Sequence, residues 1–403
     1  MEKRVLVPLV LAGLVGLSWF ALPRDVRALM LTVPTNLDVL FWTVKQRDAG
    51  FRALDQVPWL APYNLVKAGG TSLPLPQGKP LALPQAELDA FMASQRTAGL
   101  VILQDGKVRL ERYGLGFSAG QRWTSFSVGK SMTSTLIGVA MKQGKINSFD
   151  DPLTRYIPAL NGSVYDGVSV GQLLTMTTGV GWNEDYTDPN SDVALFLKAK
   201  PDPGMEAAVS YMRKLKRVAP AGTRWNYSSG ETKLVGVLLR EATGQSAASY
   251  LSEHIWRPFG MEQGATWMLD ASGKEMTDCC VQATTRDFAR FGLFMLGGAK
   301  TEGKSIVADE YLAKALTKQA EIGAPGYGYG FQWWTHDSGD YQAKGIFGQG
   351  IFIDPKRRLV IASNSNWPIA DGAKIDAARD RFYFRIQALI DAEDLGALAV
   401  SDR

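Results

Sequence analysis

The chain has 403 residues, of which 46% are hydrophobic, 10% aromatic and 21% charged; that is enough apolar material for a substantial core and excludes extended disorder. Its net charge of +4 arises from 44 basic and 40 acidic residues interleaved along the chain, with no basic stripe, which argues against a nucleic-acid partner. Two histidines, His254 and His336, and two adjacent cysteines, Cys279 and Cys280, are too few for most metal sites, and neighbouring cysteines rarely reach disulfide geometry, so no disulfide framework is expected.

In chain order, Met-Glu-Lys-Arg is followed by eighteen uncharged residues, Val5 to Leu22, ended by Pro23-Arg24-Asp25. The stretch lies at the short end for a membrane-spanning helix, exceeds the usual core of a signal peptide, and has no clear small-x-small cleavage site after it. It is expected to be an export or anchor segment, an uncleaved tether in preference to a cleaved signal. The rest of the protein is then expected outside the cytoplasm, in the periplasm or cell envelope, tethered to the inner membrane.

Residues 23–84 are rich in proline and glycine and read as an irregular arm. The main body is expected at 85–392, with a helical subdomain at about 150–298 and a tail at 393–403. A short helix near 85–95 precedes a hairpin over G-L-V-I-L-Q-D-G-K-V-R-L-E-R-Y-G, turned at Asp105-Gly106. Late in the chain Y-G-Y-G-F-Q-W-W, A-K-G-I-F-G-Q-G-I-F-I-D-P and R-L-V-I-A-S-N-S-N each read as a strand, followed by a helix at about 372–390. Strands at both ends with helices between them predict an α+β fold: an antiparallel sheet flanked by N- and C-terminal helices with a large helical insertion.

The chemistry-bearing stretch is W-T-S-F-S-V-G-K-S-M-T-S-T-L-I-G-V-A. Ser127 and Lys130 are three apart, so on a helix they share one face about a turn apart. The surrounding residues are small and apolar, which points Lys130 inward. Moving a lysine pKa from about 10.4 to about 7 requires roughly 4 to 5 kcal/mol of destabilisation of its charged form, and a neutral amine beside a hydroxyl is a general base. The bland alternative is a hydroxyl capping a helix with a lysine at the surface. In R-W-N-Y-S-S-G-E, Tyr227 stands at a loop-to-helix junction, where a tyrosine can relay protons if neighbouring amines stabilise its phenolate; the alternative is a core aromatic.

S-F-S-V-G-K-S-M-T-S-T-L-I-G-V-A, G-K-I-N-S-F-D-D-P-L-T-R-Y-I-P-A-L, P-A-G-T-R-W-N-Y-S-S-G-E and G-I-F-G-Q-G-I-F-I-D-P together resemble the serine β-lactamase and penicillin-binding superfamily, over roughly residues 100–390. M-T-T-G-V-G-W-N-E-D-Y-T-D-P-N-S-D-V is similar to the branch with 6-aminohexanoate-dimer hydrolases and β-lactamase-like carboxylesterases. The resemblance implies acyl transfer without a cofactor: Ser127 as nucleophile, Lys130 as base, Tyr227 as proton relay, and the N–H groups of Ser127 and Ile346 as oxyanion donors, with Gly345 beside substrate. Where penicillin-active branches carry Tyr-x-Asn and Lys-Thr-Gly, this chain has Tyr227-Ser228-Ser229 and Ala343-Lys344-Gly345. Lys344 would point to the face opposite Ala343, so a small-molecule ester or linear amide is expected as substrate in preference to a β-lactam or a D-amino-acid peptide.

Three further signals stand beside these. Gly167-Val168-Ser169-Val170-Gly171 fits the G-x-S-x-G elbow, but Ser169 with Gln172 three residues on reads as a capping box opening a helix. Trp182, Asp185 and Tyr186 read either as a wall contacting substrate, with Tyr186 able to hydrogen-bond an amide leaving group and Glu184 or Asp185 able to attract an amine, or as a solvated acidic loop anchored by Trp182. Gln349 is either polar support for the site or a strand residue facing solvent.

Overall fold

The computed structural model of the chain describes residues 19–32, 38–59 and 61–401, of which 396–401 as backbone only. Residues 1–18, which hold most of the apolar segment, lie outside the described residues; among the described residues no helix is long and apolar enough to cross a membrane.

The centre of the molecule is an eight-stranded antiparallel sheet. Its strands are β1 (Thr97–Gln104), β2 (Lys107–Tyr113), β3 (Ala320–Glu321), β4 (Tyr327–Tyr329), β5 (Trp334–His336), β6 (Tyr341–Gly345), β7 (Gln349–Asp354) and β8 (Leu359–Ser365), in the spatial order β2-β1-β8-β7-β6-β5-β4-β3. The β1–β2 hairpin turns at Asp105-Gly106, both at positive φ, as the Asp-Gly signal predicts.

Side-chain alternation assigns the two faces of the sheet. Leu100, Ile102, Phe352 and Ile361 pack with Leu88 and Phe91 of the helix Gln85–Ser94 and with Phe382, Tyr383 and Ile386 of the C-terminal helix α3 (Ala373–Ser401). Their neighbours Val101, Leu103, Ile351, Ile353 and Ala362 belong to the larger core on the opposite face, with the buried helix α1 (Val128–Lys142) and the helical insertion. The sheet therefore runs between N- and C-terminal helices on one side and helical layers on the other, the α+β arrangement expected.

Three expectations change. Residues 23–84 are not irregular throughout: they form helices Arg24–Leu31 and Val44–Ala53, and the strand Tyr63–Val66 pairs with Ala265–Met268. Thr43 and Gln46 make a reciprocal capping box that starts the second helix. The buried Arg47 ties that helix to the main body through Asn366 Oδ1 at 2.9 Å and the carbonyls of Trp367 and Pro368. The C-terminal helix continues to Ser401, and Glu393 accepts from Arg109, so within the described residues 393–401 are no separate tail. Finally, A-K-G-I-F-G-Q-G-I-F-I-D-P is two strands. The chain reverses at Ile346–Gly348, where Phe347 has φ +58° and its N–H donates to the Ala370 carbonyl.

Glu231, on helix α2 (Ser229–Thr243), is 2% exposed; its carboxyl accepts from Thr178 Oγ1, and burial pushes its pKa up to about 8. Between the unfolded carboxyl value of about 4.3 and pH 8 the folded state holds a proton that the unfolded state has released, so stability falls as pH rises through that window. Glu231→Gln removes this dependence. Chemical denaturation at pH 5 and pH 9 is expected to show a loss on the order of 4 kcal/mol in the parent chain that the variant lacks.

Candidate active site

Helix α1 starts where the strand Val281–Ala283 holds the preceding loop: Ser125 N–H donates to the Val281 carbonyl at 2.8 Å, and Ser125 Oγ accepts from Val281 N–H at 3.0 Å. Phe126 follows at φ +41°, its ring edge-on to Phe51 at 5.1 Å, and this left-handed step lifts Ser127 to the helix start. Ser127 occupies the N-cap position, but its side chain caps no backbone N–H. The hydroxyl-cap alternative is thereby ruled out.

Lys130 is 1% exposed, which rules out the surface-lysine alternative as well. Its Nζ lies 3.0 Å from Ser127 Oγ, 2.9 Å from Ser229 Oγ, 2.9 Å from the Asp278 carbonyl and 5.3 Å from the Tyr227 ring centroid. Burial holds the Lys130 amine below the ordinary lysine range, against the pull of the Asp278 and Glu184 carboxylates and with a smaller push from Lys233.

Tyr227 precedes Ser228, whose hydroxyl caps α2 by accepting from Glu231 N–H at 3.1 Å. Its ring stacks on Trp334 with centroids 5.7 Å apart. Burial, and next the Glu184 carboxylate, push the Tyr227 phenol well above its ordinary value, while hydrogen bonding with Ser127 pulls the other way. Held this high, Tyr227 is a phenol with a proton to donate.

Gly345, at the end of β6, faces the start of α1. A Cβ there would lie 3.0 Å from Ser127 N and 2.7 Å from the Ser125 carbonyl oxygen, so only glycine lets strand and helix come this close. Among the described residues no loop, turn or cap hydrogen bond engages the Ser127 or the Ile346 N–H. Gln349 is fully buried; its amide nitrogen donates to the Ile346 carbonyl at 3.1 Å and the Ser365 carbonyl at 2.8 Å, which secures the peptide after Ile346 and excludes the solvent-facing alternative.

These groups open onto a cavity of about 350 Å³ whose walls include Tyr186, Trp334, Lys344, Trp367 and Asp371. Ala343 lies in the core facing α1, and Lys344 emerges on the opposite face, as alternation requires, where it pairs with Asp376 and stands 5.2 Å from the Trp334 ring centroid. Asp371 has no cationic partner among the described residues. Burial raises its carboxyl pKa, and Asp185 and Asp376 add to the rise.

Two predicted substrate contacts lie elsewhere. The Trp182 ring is buried against Phe196 and Tyr211, and its Nε1–H donates to Glu184, so it supports the loop from beneath and is not part of this cavity's wall. Asp185 is exposed and accepts from Thr187 N–H at 2.8 Å; it contributes charge at the rim and no wall. Glu184 turns inward instead, accepting from Ser229 N–H at 2.9 Å, Tyr186 O–H at 2.7 Å and Ser229 Oγ. The position of Ser229 was readable as the third residue of Tyr-x-Ser. Trp367 and Asp371 lie in the turn after β8 and carry no local signal.

The remaining sequence candidates stay outside the cavity. Ser169 Oγ accepts from Gln172 N–H in a complete capping box, so the G-x-S-x-G match is a helix start. His336 is buried against Asp340, with Nδ1 2.9 Å from its carboxylate, and His254 neighbours Gln143 and Tyr250. Cys279 and Cys280, expected unbridged, are bonded to each other with Cα atoms 3.7 Å apart. A bridge between chain neighbours encloses no loop and so provides no framework.

The family model for β-lactamase matches residues 85–383. The chain is 30% identical over 307 residues to a 6-aminohexanoate-dimer hydrolase of Paenarthrobacter ureafaciens, covering 72% of this chain and 78% of that protein. In structure it is similar to a Bacillus anthracis protein assigned as a 6-aminohexanoate-dimer hydrolase, with TM-score 0.74 and 23% identity over 87% of this chain and 95% of that one. A family VIII carboxylesterase superposes with TM-score 0.58 and 17% identity, covering 77% of this chain and 99% of the other. With a family model spanning most of the chain and these relatives, the protein belongs to the β-lactamase family of serine hydrolases.

Proposed function

We propose that the protein hydrolyses a linear amide or ester through an acyl-enzyme on Ser127. The observation that carries this is the Lys130 amine, shielded from water and 3.0 Å from Ser127 Oγ. Ser127 Oγ attacks the substrate carbonyl carbon and its proton passes to Lys130. The resulting oxyanion is held by the N–H groups of Ser127 and Ile346, where the end of β6 meets the start of α1. Tyr227 gives its phenolic proton to the departing nitrogen or oxygen and regains one from the Lys130 ammonium; a water molecule then reverses the sequence and releases the acid.

The cavity wall favours a linear amide. Tyr186 O–H donates to Glu184, which leaves the Tyr186 oxygen as an acceptor for a substrate N–H. Asp371, with no cationic partner among the described residues, suits a substrate with a terminal ammonium. Ala343 leaves no amine on the face where Lys-Thr-Gly enzymes hold a β-lactam carboxylate.

The test is intact-mass spectrometry after brief incubation with a panel of p-nitrophenyl esters, anilides with and without a terminal amine, and nitrocefin. The expected result is an acyl adduct in the parent chain, absent in Ser127→Ala, with amine-bearing substrates acylating faster and nitrocefin left intact. An adduct of equal yield in Ser127→Ala overturns the assignment. The setting proposed for this activity is the cell envelope, with residues 1–22 as the tether; the support for it is the run of eighteen uncharged residues.

A further inference from the structure

Lys130 Nζ has three oxygen neighbours, and a neutral amine has two hydrogens and one lone pair. Which neighbour meets the lone pair decides whether the amine can accept the Ser127 proton. The Asp278 carbonyl can only accept, so it takes one hydrogen. Ser127 and Ser229 are hydroxyls and could each act in either direction.

The ambiguity is removed one shell further out. Four donors converge on Glu184: Ser229 N–H, Trp182 Nε1–H, Tyr186 O–H and Ser229 Oγ. Two of these are N–H groups that cannot reverse, and the arrangement is that of a carboxylate accepting throughout. The Ser229 hydroxyl hydrogen is thus committed to Glu184, and Ser229 Oγ turns a lone pair to Lys130 and takes its second hydrogen.

We propose that Glu184 is a positioning residue: through Ser229 it orients the hydrogen bonds of Lys130 so that the lone pair faces the Ser127 hydroxyl. This deepens the acyl-serine reading and rests on it. Sequence placed Glu184 in a substrate-facing loop, but its carboxylate acts inward, on a base two hydrogen bonds from its own oxygen.

The consequence for pH is directional. The charged groups facing Lys130 are Asp278, with Lys233 paired to it at 3.8 Å, and Glu184, with the Tyr227 ring on the remaining side. Glu184 holds the Lys130 pKa up against burial, so its removal lowers the pH at which the amine becomes neutral. In Glu184→Gln the side-chain amide can donate to Ser229 Oγ, which frees the Ser229 hydroxyl to donate to Lys130 and occupy the lone pair.

The experiment is kcat/KM against pH with a p-nitrophenyl ester for the full chain and three variants, with fluorophosphonate labelling of Ser127 in parallel. For Glu184→Gln the expected result is a plateau lower by about ten- to a hundredfold, part of what a general base supplies, with the acid limb moved to lower pH. Glu184→Asp restores an acceptor-only group and is expected to recover part of the plateau. Tyr186→Phe removes another Glu184 donor without touching the Ser229 link, and its acid limb is expected to stay in place. Ser229→Ala leaves the other Glu184 contacts intact and is expected to lower the plateau; it decides the matter if the glutamine variant does not fold. Parent-like plateau and limb in Glu184→Gln, or a parent-like plateau in Ser229→Ala, overturn the positioning role while Ser127 labelling persists. Absence of labelling in the parent chain overturns the acyl-serine reading itself.

Discussion

Lys130→Met is expected to lower kcat/KM about 10⁴-fold while the protein stays folded, since loss of one member of a nucleophile–base unit removes most of the unit's effect. Methionine fills nearly the same buried volume without an amine. It forfeits the hydrogen bonds to Ser229 Oγ and the Asp278 carbonyl but also removes the cost of burying a polar amine. A collapse of activity with a retained melting transition therefore isolates the chemistry from the packing. Lys130→Arg is expected to be as inactive, because a guanidinium does not deprotonate in this range and has no lone pair to offer. In the parent enzyme the sign of the pH dependence follows from the lowered lysine pKa: activity rises with pH as Lys130 loses its proton, along a limb below the ordinary lysine value. Activity independent of pH across that limb, or a Lys130→Met variant within tenfold of the parent, contradicts the assignment of the base.

Gly345→Ala is the second large effect. The added methyl meets backbone first, Ser125 O at 2.7 Å and Ser127 N at 3.0 Å, then Gln349 Cβ at 3.2 Å, and the two backbone atoms cannot swing aside as a side-chain tip would. The strand must retreat from the helix, and the Ile346 N–H retreats with it. Removal of one oxyanion donor costs about 10²- to 10³-fold in kcat, and a displaced donor in a site this tight is expected to cost a similar factor, with little change in KM. Steady-state kinetics with a p-nitrophenyl ester measures it. An unchanged kcat would mean that the oxyanion is held somewhere other than between these two amides.

The parts of the site that lie within one helical turn were legible. Ser127 and Lys130 share a face because their spacing leaves no alternative once a helix forms, and the apolar residues around them signalled burial. Tyr227 and the capped helix after it were likewise readable, as was the Asp105-Gly106 hairpin, since each is decided by neighbours in sequence. The arm was misread because its second helix depends on a buried arginine bonded to residues more than 300 positions away. The strand break at Ile346–Gly348 was missed because a left-handed phenylalanine has no sequence signature; it is held by the Ala370 carbonyl. Trp182 was assigned to the cavity on its position in a loop, whereas its indole is drawn into the core by Phe196 and Tyr211.

From its order of residues alone this chain determined an α+β architecture, a serine and lysine on one buried helical face, and membership of a hydrolase superfamily. The tertiary structure alone decided that Glu184 turns toward the base through Ser229, that Asp371 stands at the cavity wall with no cationic partner among the described residues, and that strand β6 and helix α1 meet closely at Gly345. The physical reason is range. A helix repeats every few residues and so binds neighbours in sequence into a predictable pattern, whereas a cavity is assembled from segments hundreds of residues apart whose meeting depends on the packing of the whole sheet.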